Sequence, residues 1–151
     1  MASSRPKIRA LEPDQSRHPR SFDIDRWRCD GTLTTVSVTL TKAVVGSIIP
    51  NLLAEAMGDI EERIRRTGTG DAVIAQGLSI ALNWYGPQGL ELRTWGNVNH
   101  RLTWNILGQA LVALAQGMRE GHYGEAVFTI WENRDVVGYG KIGPASWQPG
   151  Q

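Results

Sequence analysis

The sequence places a predicted helix followed by two predicted strands at two points in the chain, 47 residues apart. Three marks of the first copy recur in the second at that spacing: Gly77 with Gly124, Trp84 with Trp131, and Gly96 with Gly143. Five apolar positions between these marks also agree: Ile80 with Val127, Ala81 with Phe128, Leu90 with Val137, Leu92 with Tyr139, and Trp95 with Ile142. A repeated αββ unit predicts a single sheet covered by two helices. It predicts an architecture and not a chemistry.

Two segments have apolar residues at the spacing of an amphipathic helix. The first stops at Gly68. The second follows Thr103, a favoured residue at a helix start, and ends near Gly121. The predicted buried stripes are Ile49, Leu52, Leu53, Ala56, Met57, Ile60 and Ile64 in the first helix, and Leu107, Ala110, Leu111, Leu114 and Met118 in the second.

Six stretches have the composition of β-strands. The first begins after Ser21 and turns at Asp30-Gly31 into a β-branched stretch, so that the two form a hairpin. The later strands are predicted at 32–41, 77–85, 90–96, 125–132 and 136–142. The resulting order is ββ-α-ββ-α-ββ, an α+β domain in which both helices pack on one face of an antiparallel sheet.

The length of 151 residues suits one globular domain, which we place at residues 21–143. Residues 1–20 hold five basic and two acidic side chains, which predicts a disordered basic tail, and residues 144–151 form an irregular C-terminal tail. The rest of the chain holds 11 basic and 13 acidic side chains, which argues against a nucleic-acid partner.

Cys29 is the only cysteine, so an intramolecular disulfide is excluded and a reducing compartment is favoured. No stretch is long and apolar enough to predict a membrane span, and the N-terminus does not resemble a signal peptide. We therefore expect no membrane association and favour a cytoplasmic location. If the sequence has lost its natural N-terminus, secretion stays open.

Residues 102–143 resemble a segment that recurs in small, uncharacterised fungal proteins. The matching positions are Leu102, Thr103, Leu107, Leu111, Leu114, Val137, Gly138, Gly140 and Ile142. The resemblance covers 42 of the 151 residues. It implies a capped helix leading into two strands, a fungal origin and, for many proteins of this kind, secretion. It implies no active site.

Catalytic motifs are absent from the sequence. The segment from Gly138 to Gly143 has the glycine spacing of a dinucleotide fingerprint, but it lies in a predicted strand and Pro144 follows it instead of a helix. Asp23 and Asp25 share a strand face without a third metal ligand in sequence. We therefore predict no cofactor and no metal, leave the catalytic residues unknown, and lean towards a protein that is not an enzyme.

Two groups of residues are candidates for a binding site. Asn99, His100 and Arg101 precede the second helix, whose free N–H groups would help to hold a small anion. The alternative is that the asparagines of this segment only form a turn and cap the helix. Tyr123 is a further polar candidate beyond the end of that helix.

Trp84 and Trp131 are the second group of candidates, because each is the next-to-last residue of a predicted strand that leads into a hairpin loop. They either belong to the core or flank a shared concave surface, where tryptophan suits both a partner interface and an apolar ligand cleft.

Two functions remain open at this point. The favoured one is a noncatalytic module that binds a protein partner or a second copy of itself through the sheet's open face or edges. It predicts a flat or self-complementary apolar patch and no enclosed cavity. The alternative is a small-molecule-binding protein or enzyme with an apolar tryptophan-lined cleft. That alternative predicts a pocket of about 300 Å³ or more reaching His100, Arg101 and Tyr123.

Overall fold

The computed structural model describes residues 24–74, 82–97 and 102–146. The elements in these ranges are β1 (Asp25–Arg28), β2 (Thr34–Ala43), α1 (Ile48–Thr67), β3 (Leu82–Tyr85), β4 (Leu90–Gly96), α2 (Trp104–Glu120), β5 (Gly124–Glu132) and β6 (Asp135–Pro144). The strands form one antiparallel sheet in the order β1-β2-β5-β6-β4-β3. The predicted α+β class and the predicted order of elements are confirmed.

The helices form where the apolar spacing and the terminal residues predict them. The Thr103 side chain accepts a hydrogen bond from the N–H of Ile106 at the start of α2. Gly68 ends α1 in the left-handed conformation, with φ of 70°. The whole predicted stripe of α2 is buried, and five of the seven predicted positions of α1 are buried: Ile49, Leu52, Leu53, Ala56 and Ile60.

Both helices pack on the same face of the sheet. At one side of the sheet, the Thr34 hydroxyl donates to the Gln109 side chain of α2 at 2.6 Å. Near the other edge, the Trp84 indole N–H donates to the Asp59 carboxylate of α1 at 2.9 Å. We call the opposite face, which is turned away from α1 and α2, the open face.

The αββ order occurs twice, but positions 47 residues apart are not equivalent in the sheet. Trp84 pairs with Leu92 on the face that packs against the helices. Their counterparts at this spacing, Trp131 and Tyr139, lie on the open face, opposite Thr35 and Thr129 respectively. A displacement by one residue moves every side chain of a strand to the other face. These residues, which match in the sequence at this spacing, therefore lie on opposite faces of the sheet in the fold.

The predicted basic tail at 1–20 lies outside the described residues, as do residues 147–151 of the predicted C-terminal tail. Strand β6 continues through Pro144, one residue past the predicted end of the domain. Neither helix of the described ranges is long and apolar enough to cross a membrane.

Candidate interaction surface

The open face is assembled from rows of cross-strand partners, because directly paired residues of antiparallel strands lie on the same side of a sheet. One row crosses five strands through Arg26, Ser37, Thr129, Tyr139 and Trp95. In the described part of the chain no helix lies over this face, and apart from the exposed Arg26 the side chains of the row are only half-buried.

Three half-buried aromatic side chains, Trp95, Tyr139 and Trp131, form what we call the aromatic strip. The rings of Trp95 and Tyr139 have their centroids 6.1 Å apart and are tilted by 32°. The Trp131 indole N–H donates to the Ser37 hydroxyl at 3.1 Å. The Arg26 guanidinium lies 5.4 Å from the centroid of the Trp131 ring, within cation–π range. These contacts fix the orientation of three large side chains that remain partly exposed on the open face.

Basic side chains outnumber acidic ones on the open face. The described basic residues at these positions are Arg26, Arg28, Lys42, Arg93 and Lys141, and the acidic residues are Glu91 and Glu125. The chain beyond residue 20 has a small acidic excess overall. The described charges on this face therefore have a basic excess, which favours the approach of anionic groups.

One ion pair on the open face is buried. The Lys141 ammonium lies 3.3 Å from Oε1 of Glu91, with the two side chains 0% and 3% exposed. The ammonium also donates a hydrogen bond to the Pro144 carbonyl at 2.7 Å. Oε1 of Glu91 contacts its cation without the geometry of a hydrogen bond, and it accepts none elsewhere. This carboxylate therefore depends on the positive charge of Lys141.

Three of the four predicted anion-binding residues, Asn99, His100 and Arg101, lie outside the described residues. Tyr123 is described, and it follows the C-terminal end of α2, whereas the other three precede that helix in the chain. A helix of 17 residues is about 25 Å long, so Tyr123 does not lie at the start of α2. The anion site stays a prediction.

The N–H groups at the start of α2 have acceptors within the chain. The N–H of Asn105 donates to the Gly70 carbonyl at 2.9 Å, and the N–H of Leu107 donates to the Thr103 carbonyl at 3.0 Å. The N–H of Trp104 approaches the Ala72 carbonyl at 3.4 Å, and Ile106 donates to the Thr103 hydroxyl. These N–H groups are therefore already hydrogen-bonded, and an anion at the predicted site would have to be bound by side chains instead.

Trp84 and Trp131 do not flank a common surface. Trp84 is 9% exposed and packs on the helix-covered face, where its indole N–H donates to Asp59. Trp131 lies on the open face beside Arg26. The sheet separates the two rings, so only Trp131 belongs to the candidate interaction surface.

The described residues include no arrangement suited to metal binding or thiol catalysis. No group of three or more His, Cys, Asp or Glu side chains in these ranges could hold a metal ion. Burial raises the pKa of the Cys29 thiol; a hydrogen bond with the Thr32 side chain lowers it, and the Asp30 charge raises it further. The net upward shift keeps this thiol protonated at neutral pH, which disfavours a nucleophilic role.

Comparison of the chain with protein-family models, curated proteins and solved structures finds no match. The resemblance of residues 102–143 to a fungal segment therefore stays a prediction, and the function is argued from the surface of this molecule alone.

Proposed function

We propose that this protein is a noncatalytic interaction module whose open face binds an acidic segment of a partner protein. The observation that carries the proposal is the basic excess around the aromatic strip. Tryptophan, tyrosine and arginine are the residues that contribute most often to the energy of protein interfaces. The arginines would steer an acidic segment to the face and fix its orientation.

The same charge argues against a second copy of the chain as the occupant. Two identical open faces, each with a basic excess, would repel one another on direct contact. Base stacking by a nucleic acid is also disfavoured, because Arg26 lies over the Trp131 ring and the Trp95 and Tyr139 rings lie against each other. An acidic protein segment satisfies the cations without needing free aromatic ring faces.

The test begins with selection of a phage-displayed library of short random peptides on the full chain. We expect enrichment in Asp and Glu with at least one aromatic residue. Calorimetry then measures the affinity of a synthetic copy of the best peptide. We expect the variant with Arg26→Gln and Arg28→Gln to bind this peptide about 5- to 20-fold more weakly than the unchanged chain does. Added salt should weaken the binding of the peptide to the unchanged chain.

The matched control carries Arg65→Gln and Arg66→Gln. It removes the same charge from exposed positions on α1, which packs on the opposite face. We expect it to bind the peptide with less than about a twofold change in affinity. The proposal fails if the selected peptides lack acidic residues or if both variants weaken binding equally. It also fails if the chain instead dimerises through this face or binds oligothymidylate as tightly as the peptide.

A further inference from the structure

A groove lies between α1 and α2, on the outer side of the helix layer. Its volume is about 280 Å³, slightly below the range of about 300–1,000 Å³ usual for small-molecule sites. The lining residues are Pro50, Leu53, Met57, Val112, Ala115, Gln116, Arg119 and Tyr123. Most of these side chains are apolar, and Val112 on α2 is 38% exposed.

The polar side chains of the groove define what kind of ligand would fit. Arg119 supplies the only charge among the lining residues, and within the described ranges its guanidinium has no hydrogen-bond or ion-pair partner. The Tyr123 ring is half-buried at the same groove. A guanidinium binds a carboxylate through two parallel N–H donors, and a phenol hydroxyl can donate a further hydrogen bond. One cation matches the single charge of a carboxylate better than the higher charge of a phosphate.

We propose that this groove is a binding site for an apolar carboxylate of the medium-chain fatty acid type. The alkyl chain would lie against Leu53, Met57 and Val112, and the carboxylate would bind Arg119 and Tyr123. The site lies on the opposite side of the sheet from the open face. It is a second binding function, independent of the interaction with an acidic protein segment.

The test is calorimetric titration of the full chain with decanoate, with decanol, and with decyltrimethylammonium, each below its micelle concentration. We expect decanoate to bind with a negative heat-capacity change, because apolar surface is buried. Decanol should bind about 5- to 10-fold more weakly, and the cationic amphiphile more weakly still.

Arg119→Gln should reduce decanoate affinity about 5- to 10-fold and leave decanol affinity unchanged. The matched control is Arg134→Gln, which removes an exposed arginine from the turn between β5 and β6. It should leave all three affinities unchanged. Thermal unfolding checks that both variants are folded. The proposal is overturned if decanoate does not bind, if decanoate and decanol bind equally well, or if the two variants have equal effects. None of these results would contradict the proposed binding of an acidic segment at the open face.

Discussion

Replacement of Lys141 by methionine is expected to lower the free energy of unfolding by about 3–5 kcal/mol. The substitution keeps an unbranched side chain that is one heavy atom shorter, and it removes the charged terminal nitrogen. It leaves the carboxylate of Glu91, which is 3% exposed, buried without the ammonium that lies 3.3 Å from it. Urea denaturation followed by tryptophan fluorescence measures the change.

The matched control is Arg65→Met, since Arg65 also forms an ion pair, with Glu62, but both partners are largely exposed. That substitution should change the free energy of unfolding by less than about 1 kcal/mol. The double variant with Lys141→Met and Glu91→Met should be less destabilised than the sum of the two single variants, because it leaves no buried charge. The account is contradicted if the double variant is destabilised by the sum of the effects of the two single variants. It is also contradicted if Lys141→Met has as small an effect as the control.

The second large effect is expected from Gly117→Ala on α2, which should lower the free energy of unfolding by about 1–3 kcal/mol. A Cβ at this position would overlap the indole ring of Trp27, a buried residue of β1. The ring would have to move, and the contact between α2 and the edge of the sheet would loosen. This is the net change that remains after the gain in helix propensity of about 1 kcal/mol that alanine brings.

Gly58→Ala on α1 is the control of opposite sign. A Cβ at Gly58 meets no atom within 4 Å, so only the helix propensity changes and stability should rise by about 0.5–1 kcal/mol. Chemical denaturation of both variants under one set of conditions gives the comparison. Equal stabilisation by the two substitutions would show that α2 does not press against Trp27.

The secondary structure and the class of the fold could be predicted because they depend on local patterns. Alternation in the stretch that became β2 separates Val36 and Val38, which are buried, from Thr35 and Ser37, which are half-buried. The cap at Thr103 is likewise a local feature with a local hydrogen bond. In each case the physical cause acts within a few residues, and the sequence displays it directly.

The candidate surface could not be predicted in the same way, because it depends on which strands become neighbours. Trp95 and Tyr139 are 44 positions apart in the sequence and meet only because β4 pairs with β6. Matching of residue types at a spacing of 47 favoured Trp84 with Trp131 and ignored the face that each residue occupies. Trp95 is separated from the buried Leu90 and Leu92 by an odd number of positions. Because side chains alternate between the two faces of a strand, this spacing indicates that Trp95 lies on the face opposite to theirs.

Burial of Lys141 had no sequence signal of its own. A lysine in a strand ordinarily predicts a solvent-exposed position, and Glu91 lies 50 positions away in the sequence. The two side chains come together because β4 and β6 are neighbours in the sheet. Whether a charged side chain is buried beside a partner of opposite charge therefore depends on the order of the strands in the sheet. The composition of a single strand does not predict that order.

The most direct test of the proposed interaction surface is a nuclear magnetic resonance titration of the isotope-labelled chain with the selected acidic peptide, read at the tryptophan indole N–H signals. Trp95 and Trp131 lie on the open face, whereas Trp27 and Trp84 lie on the face covered by the helices. We predict that the peptide shifts the signals of Trp95 and Trp131 and leaves those of Trp27 and Trp84 in place. Shifts confined to Trp27 and Trp84 would place the interaction on the helix side of the sheet and contradict the account.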